Sequence, residues 1–431
     1  MSKKYCFKSS NLNLSQSKEG EQEKYIYYKN DEELKVEDSD EEYTEQKFDK
    51  EIKVAVSNWV DNRFDNIVCL IGAGASVVSG KGGLPDEKYG KTVAMIGTAV
   101  LSALKDGKYV FEEQERDVFT LKELIKKTKY KETIKKEIQE EETQEVIEEF
   151  IVKEELIKEF NFENFLSVLL SYEKFVPENQ QTKLENSIKA IRQEIIKATS
   201  YDSYDDKFKH GKFLNILSKL ITDKKQKLNI ATTNYDTLIE DSANQEGFTV
   251  LDGFKFAQIP FFDASMFDWH LIKDIPNVKT QEVEYMSKVI NLLKIHGSLT
   301  WELNQTEKRI LRKDKNVKNP IMVFPSSDKY AQSYQEPYFE LFTKFQELLK
   351  RSNTLLITSG FSFADNHISR MILQAIKSNS SLHVLVTDYD IEPENPNENW
   401  TALVKMQEKD YQIAFLKAAM NGKLTDYFGG Y

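Results

Sequence analysis

Cysteine is nearly absent from this chain of 431 residues, which has two, Cys6 and Cys69. One lies in a polar N-terminal stretch and the other inside an apolar run, so they build neither a disulfide framework nor a Cys-x-x-Cys zinc site. Cys69 reads as a small buried hydrophobe. No apolar run approaches the ~18 residues needed to span a bilayer, and the N-terminus lacks an apolar signal-peptide core. A cytoplasmic protein without a membrane segment is therefore expected. Positive charge is in deficit as well. The 59 Lys and Arg against 70 Asp and Glu leave a formal charge of −11, a poor basis for direct nucleic-acid binding, which draws on basic surface to release counterions. No repeat of 20–50 residues is visible. Core material is ample, since hydrophobic residues make up 40%. The length suits two or three domains, or one large domain with insertions.

Residues 1–50 are polar and acidic, with the run Glu37-Asp38-Ser39-Asp40-Glu41-Glu42, and read as a solvated, mobile arm. Its aromatic knot Tyr25-Ile26-Tyr27-Tyr28 gives it a handle on the body or on a neighbouring subunit. Asn66–Ile71 is a short continuous apolar run, as in a strand buried on both faces. Helical stripes then dominate: Phe162, Phe165, Leu166, Leu169 and Leu170; Leu184, Ile188, Ile191 and Ile195; Phe213, Ile216, Leu217 and Leu220. Residues 125–160, rich in Glu and Lys, suggest a long exposed helix or helical hairpin. Strands return at 228–232, 292–295, 321–324, 354–358 and 382–386, with a helix over 365–376 opening on Asp365 as N-cap. Strand, helix, strand in repetition implies an α/β fold on a parallel sheet of about six strands, helices on both faces. The expected division is an acidic arm (1–50), an α/β domain (51–110 and 226–395), a helical insertion (111–225), and a C-terminal helix with aromatic tail (396–431).

Four strand ends carry the chemistry. Gly72-Ala73-Gly74-Ala75-Ser76 follows a strand, where Gly-x-Gly lets the backbone approach a pyrophosphate and a helix N-terminus stabilises its charge. A dehydrogenase fingerprint needs a third small residue where Val77 stands, and no acidic residue ends a second strand about 20 residues on. Thr232-Thr233-Asn234-Tyr235-Asp236 leaves the second strand with an amide and a carboxylate at i and i+2. Lys294-Ile295-His296-Gly297-Ser298 puts one of only five histidines at a third strand end. Ser359-Gly360-Phe361-Ser362 forms a glycine-hydroxyl turn suited to phosphate or ribose hydroxyls. Singly, each has a plain structural alternative: a tight turn, an N-cap for Asp236, a turn residue for Asn234, a structural histidine.

In this order the four resemble the sirtuin superfamily. Gly72–Ser76, with Ser79-Gly80 and Gly83-Leu84-Pro85, is similar to that family's Gly-Ala-Gly-x-Ser…Ser-Gly-Ile-Pro loop. Thr232–Asp236 is similar to its Thr-Gln-Asn-x-Asp, His296-Gly297 to its His-Gly, and Gly360-Phe361-Ser362 to its Gly-x-Ser turn. The matches span about residues 66–390. Two departures stand out: no cysteine follows Cys69, so the deacylases' zinc module is missing, and Asp86-Glu87 replaces the Phe-Arg pair. That pattern resembles the sirtuin-like NAD hydrolases of bacterial antiphage defence. Asn161–Leu166 is similar to a helix following the cofactor loop in that group.

The resemblance implies a Rossmann-like domain that binds NAD as substrate and cleaves its nicotinamide–ribose bond, without a metal. It assigns catalysis to Asn234, which orients ribose and water, and His296, which accepts a proton. It assigns cofactor binding to Gly72, Ala73, Gly74, Ala75, Ser76, Asp236, Gly360, Ser362 and Asp388. Homo-oligomerisation, and an ATPase/helicase-like or Argonaute-like defence partner, are further implications. The rival readings are an NAD-dependent protein deacylase and a non-catalytic nucleotide-binding subunit; the latter needs neither Asn234 nor His296.

Overall fold

The computed structural model describes residues 3–19, 24–36, 43–80, 84–86, 88–130, 150–152, 155–156, 160–201, 206–275, 283–323 and 336–428. The chain divides into two compact units, one made of Met1–Tyr89, Tyr201–Met322 and Ser333–Tyr431, the other of Gly90–Ser200 with Val323–Gln332.

The first unit is built on an eleven-stranded sheet. Seven strands are parallel, in the order Thr249–Leu251, Val289–Lys294, Leu228–Thr232, Asn66–Ile71, Thr354–Ser359, Leu382–Asp388 and Ile413–Lys417. Every residue of Asn66–Ile71, Leu228–Thr232, Val289–Lys294 and Thr354–Ser359 is buried, as expected where helices cover both faces of a parallel sheet. Ile67, Cys69 and Ile71 share a core with Phe48, Ile52 and Val56 of helix Glu45–Val60 and with Phe213, Leu214 and Leu217 of helix His210–Lys219. The alternate residues Val68 and Leu70 are equally buried. Helix Tyr338–Lys350 packs on the same central strands. No helix among the described residues is long and apolar enough to cross a membrane.

Several expectations change. The residues before 37 are not a mobile arm: Lys4–Lys8 pairs antiparallel with Ile413–Lys417, and Asn13–Glu19, Lys24–Lys29 and Glu32–Glu33 continue as a meander. Overall polarity hid a few inward apolar residues, Cys6, Phe7, Leu14 and Tyr27, all of them buried. Tyr27 packs tilted against Phe48, ring centroids 4.6 Å apart, so the knot docks on its own chain. The run 37–42 lies outside the described residues. The sheet has more than six strands because the N-terminal meander, Thr249–Leu251 and Ile413–Lys417 join it. The stretch 321–323 is not a strand; it makes one isolated bridge, Gly297 to Met322, and residue 324 is outside the described set. The aromatic end closes the core, with Phe428 fully buried, its ring 5.8 Å from that of Phe213, and the Tyr427 hydroxyl donating to Asp49 Oδ1 at 2.9 Å.

The second unit starts earlier and ends earlier than the 111–225 block, so helix His210–Lys219 belongs to the first unit. It holds helices Val93–Ala103, Leu121–Lys127, Phe162–Tyr172 and Gln181–Thr199, and hairpin Lys108–Phe111 with Gln114–Asp117. Thr120 and Glu123 form a capping box, and the first two apolar stripes supply its core, while the third, Phe213 to Leu220, packs in the first unit. Helix Leu121–Lys127 ends at Lys127, and Ile151–Val152 pairs with Glu155–Leu156; most of the expected long helix or helical hairpin over 125–160, including residues 131–149, lies outside the described residues.

Candidate functional site

Register places the four motifs on one edge. Ile71, Thr232, Lys294 and Ser359 occupy one row across the sheet, and Thr387 extends it. Each motif therefore begins where its strand ends. From Asn66–Ile71 the chain passes first to strands on one side, Leu228–Thr232 nearest, and later to Thr354–Ser359 on the other. The gap between Asn66–Ile71 and Thr354–Ser359 is the topological switch point, outside whose carboxyl ends α/β proteins bind ligands.

The glycines of the first motif serve the crossing of two loops. Gly72 N donates to Ser359 O at 3.0 Å and Gly74 N to Gly360 O at 2.9 Å. A Cβ on Gly72 would stand 2.5 Å from the Gly360 carbonyl, and one on Gly74 would stand 2.9 Å from Gly360 Cα. The expected helix after the loop is a single 3-10 turn, Ala73–Ser76, and Val77 is already extended. A pyrophosphate here would meet turn amides, without a long helix behind them. Asn421 braces the loop from the C-terminal segment, its Nδ2 donating to Ala75 O and Val77 O, each at 2.9 Å.

A polar relay ties this loop to the second motif. Asn234 Nδ2 donates to Ser76 Oγ at 3.0 Å and to Gly72 O at 3.1 Å. Ser76 Oγ in turn donates to Asp236 Oδ2 at 2.8 Å, and Asp236 Oδ1 accepts from Leu238 N at 3.1 Å. All three side chains are buried. Burial pushes the Asp236 carboxyl up, against the opposing pull of Lys294, the Ser76 hydroxyl and the Leu238 amide. Asp236 thus caps its turn and anchors Ser76.

Lys294 was missed by the sequence reading. Its side chain is 1% exposed, ion-paired to Glu240 Oε1 at 2.9 Å and hydrogen-bonded to the carbonyl of Asp236. A lysine inside an otherwise apolar strand was the available signal, since buried charges are paired when they occur. It holds the loop carrying Asn234 from beneath. Ile295 N donates to Thr232 O at 2.9 Å and Leu299 N to Tyr235 O at 3.1 Å, locking the histidine loop to the asparagine loop.

His296 is buried at the end of its strand, with Nε2 3.1 Å from Asp365 Oδ2. Asp365 is the N-cap expected for helix Asn366–Ser378; its meeting with His296 was not legible. Between Gly360 and Asp365, Phe363 adopts φ +58 with its ring fully buried, and its carbonyl accepts from Ser369 Oγ and Asn399 Nδ2, each at 3.0 Å. A bulky residue at positive φ is strained, and such strain gathers at functional loops. Ser362 is exposed on the same loop. Among the described residues no group of three or more His, Cys, Asp or Glu is placed to hold a metal ion.

Asp388 ends the next strand, beside the Gly360 loop, where Gly360 N donates to Thr387 O. Burial raises its carboxyl to about 6, against the backbone amides of Asp390 and Tyr389. A folded-state value above the unfolded one means the neutral acid is favoured by folding. That stabilisation is present below pH ~4, the unfolded carboxyl value, and is lost as pH rises through about 6. The melting temperature of Asp388→Asn minus that of the native chain should therefore increase across this window; a difference that stays flat contradicts the assignment.

Residues 228–416 match the family model described as SIR2-like domain. The match begins at the Leu228–Thr232 strand and so includes the asparagine, histidine and Gly360 motifs. Gly72–Ser76 lies before it, joined to it by the contacts of Gly72, Gly74 and Ser76 described above. No curated protein matches the chain. A SIR2-like domain carries an NAD-related, sirtuin-like function, commonly that of an NAD-using enzyme.

Proposed function

Since residues 228–416 match a SIR2-like domain, we propose that the chain is an NAD glycohydrolase, releasing nicotinamide and ADP-ribose. The observation that carries this reading is the arrival of Asn234 and His296 at one carboxyl edge, on the two strands that follow Asn66–Ile71 across the sheet, tied together through Thr232–Ile295 and Tyr235–Leu299. A dehydrogenase or a simple nucleotide-binding module would need the glycine loop but not that pair.

The reaction follows from the groups present. The bond from the nicotinamide nitrogen to the ribose anomeric carbon breaks, its electron pair leaving with nicotinamide. Positive charge develops on the ribose. A water oxygen bonds to the anomeric carbon, and its proton passes to His296, directly or through a ribose hydroxyl. Asn234, its Nδ2 held by Ser76 and Gly72, directs its amide oxygen to ribose and water. Ser362 and Asp388 stand at the Gly360 side, where the adenosine half would lie.

Water as acceptor, in place of an acyl-lysine, rests on the absence of any cysteine after Cys69, which leaves no four-cysteine zinc module of the deacylase kind. The resemblance to antiphage NAD hydrolases extends the reading to an NAD-depleting effector in a bacterial cell, assembled as a homo-oligomer, with an ATPase-like or Argonaute-like partner. Infected cells should then lose NAD only when the intact site is expressed.

Purified chain incubated with NAD and no acylated peptide is expected to yield nicotinamide and ADP-ribose in equal amounts. Asn234→Ala should slow this by on the order of 100-fold, through loss of orientation. A requirement for acylated peptide would turn the assignment to a deacylase, and unchanged release by Asn234→Ala would remove the site.

A further inference from the structure

His296 and Asp365 come from strands separated by two others. At ~4.8 Å per strand that is roughly 14 Å, so their side chains reach each other only by converging above the sheet edge. Asp365 Oδ1 accepts from His367 N at 3.0 Å and Ile368 N at 3.2 Å, completing the helix cap. Its other oxygen, Oδ2, lies 3.1 Å from His296 Nε2 but off the line of a ring N–H, so the two meet as a close charge contact and not as an aligned hydrogen bond; the side chains are 6% and 4% exposed. Capping alone is served as well by Ser or Asn. The second oxygen is what a carboxylate adds here, and it lies against the histidine ring.

We propose that Asp365 is a positioning residue that holds His296 in the Nε2–H tautomer, leaving Nδ1 as the proton acceptor. An ionised carboxylate repels a ring lone pair held 3.1 Å away, so the imidazole nitrogen beside it is favoured to carry the proton. The lone pair is thereby placed on the other ring nitrogen. As that nitrogen takes up a proton, the carboxylate stabilises the imidazolium, and burial keeps the interaction from being screened. The purpose of the proton acceptor rests on the NAD-cleaving reading; the tautomer does not.

Asp365→Asn separates capping from charge. Its amide oxygen still accepts from His367 and Ile368, while its amide N–H turns toward Nε2, which then has to accept, moving the proton to Nδ1. Asp365→Ser keeps the cap and removes the partner, and serves if the Asn variant folds poorly. Imidazole ¹⁵N shifts report the tautomer whether or not the enzyme turns over. The expected result is Nε2–H in the native chain and Nδ1–H in Asp365→Asn, with an intermediate population in Asp365→Ser. Nicotinamide release by Asp365→Asn should fall on the order of 10²- to 10⁴-fold in kcat, with KM changed by less than about threefold. Identical His296 shifts in the native and Asn forms overturn the proposal, as does native turnover by the Asn variant. If the tautomer moves but the native chain releases no nicotinamide from NAD, the positioning stands and the NAD reading fails.

Discussion

His296→Ala should lower nicotinamide release from NAD by on the order of 10³-fold, within the range for removing a positioned proton acceptor. The loss should fall in kcat, because the imidazole acts as charge develops on water or a ribose hydroxyl, and not in ground-state binding. NAD binding, read by calorimetry, should stay within a few-fold. The variant also removes the buried ring that lies 3.1 Å from Asp365 Oδ2. Rates should therefore be compared at a temperature where circular dichroism shows both proteins folded. Release by the variant within about tenfold of native would show that His296 is structural and that another group accepts the proton.

Gly360→Ala should be among the most destabilising single methyl additions near the site. Gly360 has φ +61, and its Cβ would stand 2.2 Å from Ala75 N, 2.5 Å from Gly74 C and 2.8 Å from Gly74 Cα. All three are backbone atoms, so no side chain can rotate away, and the Gly72 loop has to separate from the Gly360 loop. The left-handed backbone alone costs about 1–2 kcal/mol; with the overlap the expected loss exceeds about 4 kcal/mol, a size reserved for such mechanisms. Gly247→Ala is the control, with φ +74 and nothing within 4 Å of its Cβ. Urea unfolding of the two variants isolates the loop crossing. Equal destabilisation would show that the loops accommodate a methyl, and with it that the glycines are free to serve a ligand alone.

Both predictions concern contacts between distant segments, and this is where legibility in the sequence ended. Asn66–Ile71, Leu228–Thr232 and Leu382–Asp388 were visible because continuous burial writes a continuous apolar run. Helix Asn366–Ser378 was visible from its N-cap and its stripe. The N-terminal meander was not, because its polar outer face and acidic continuation outweighed four inward residues. Ile413–Lys417 was hidden inside a stretch read as helix and tail. At the site, Asn234 and His296 stood out because a polar group at the end of an apolar strand is conspicuous. Lys294 was read past as part of its strand, and Asp365 was understood only as a cap.

The sequence by itself determined the α/β class, the parallel strands, the strand ends that bear chemistry and the family those motifs resemble, since these follow from local patterning. Only the tertiary structure decided what the residues do to one another. Strand order put the four motifs on one edge, the loop crossing took the space that glycine leaves at Gly72, Gly74 and Gly360, and convergence over two strands brought Asp365 to His296. The physical reason is range: burial and turn chemistry act within a few residues, whereas a buried polar group is satisfied by whichever segment the topology carries to it.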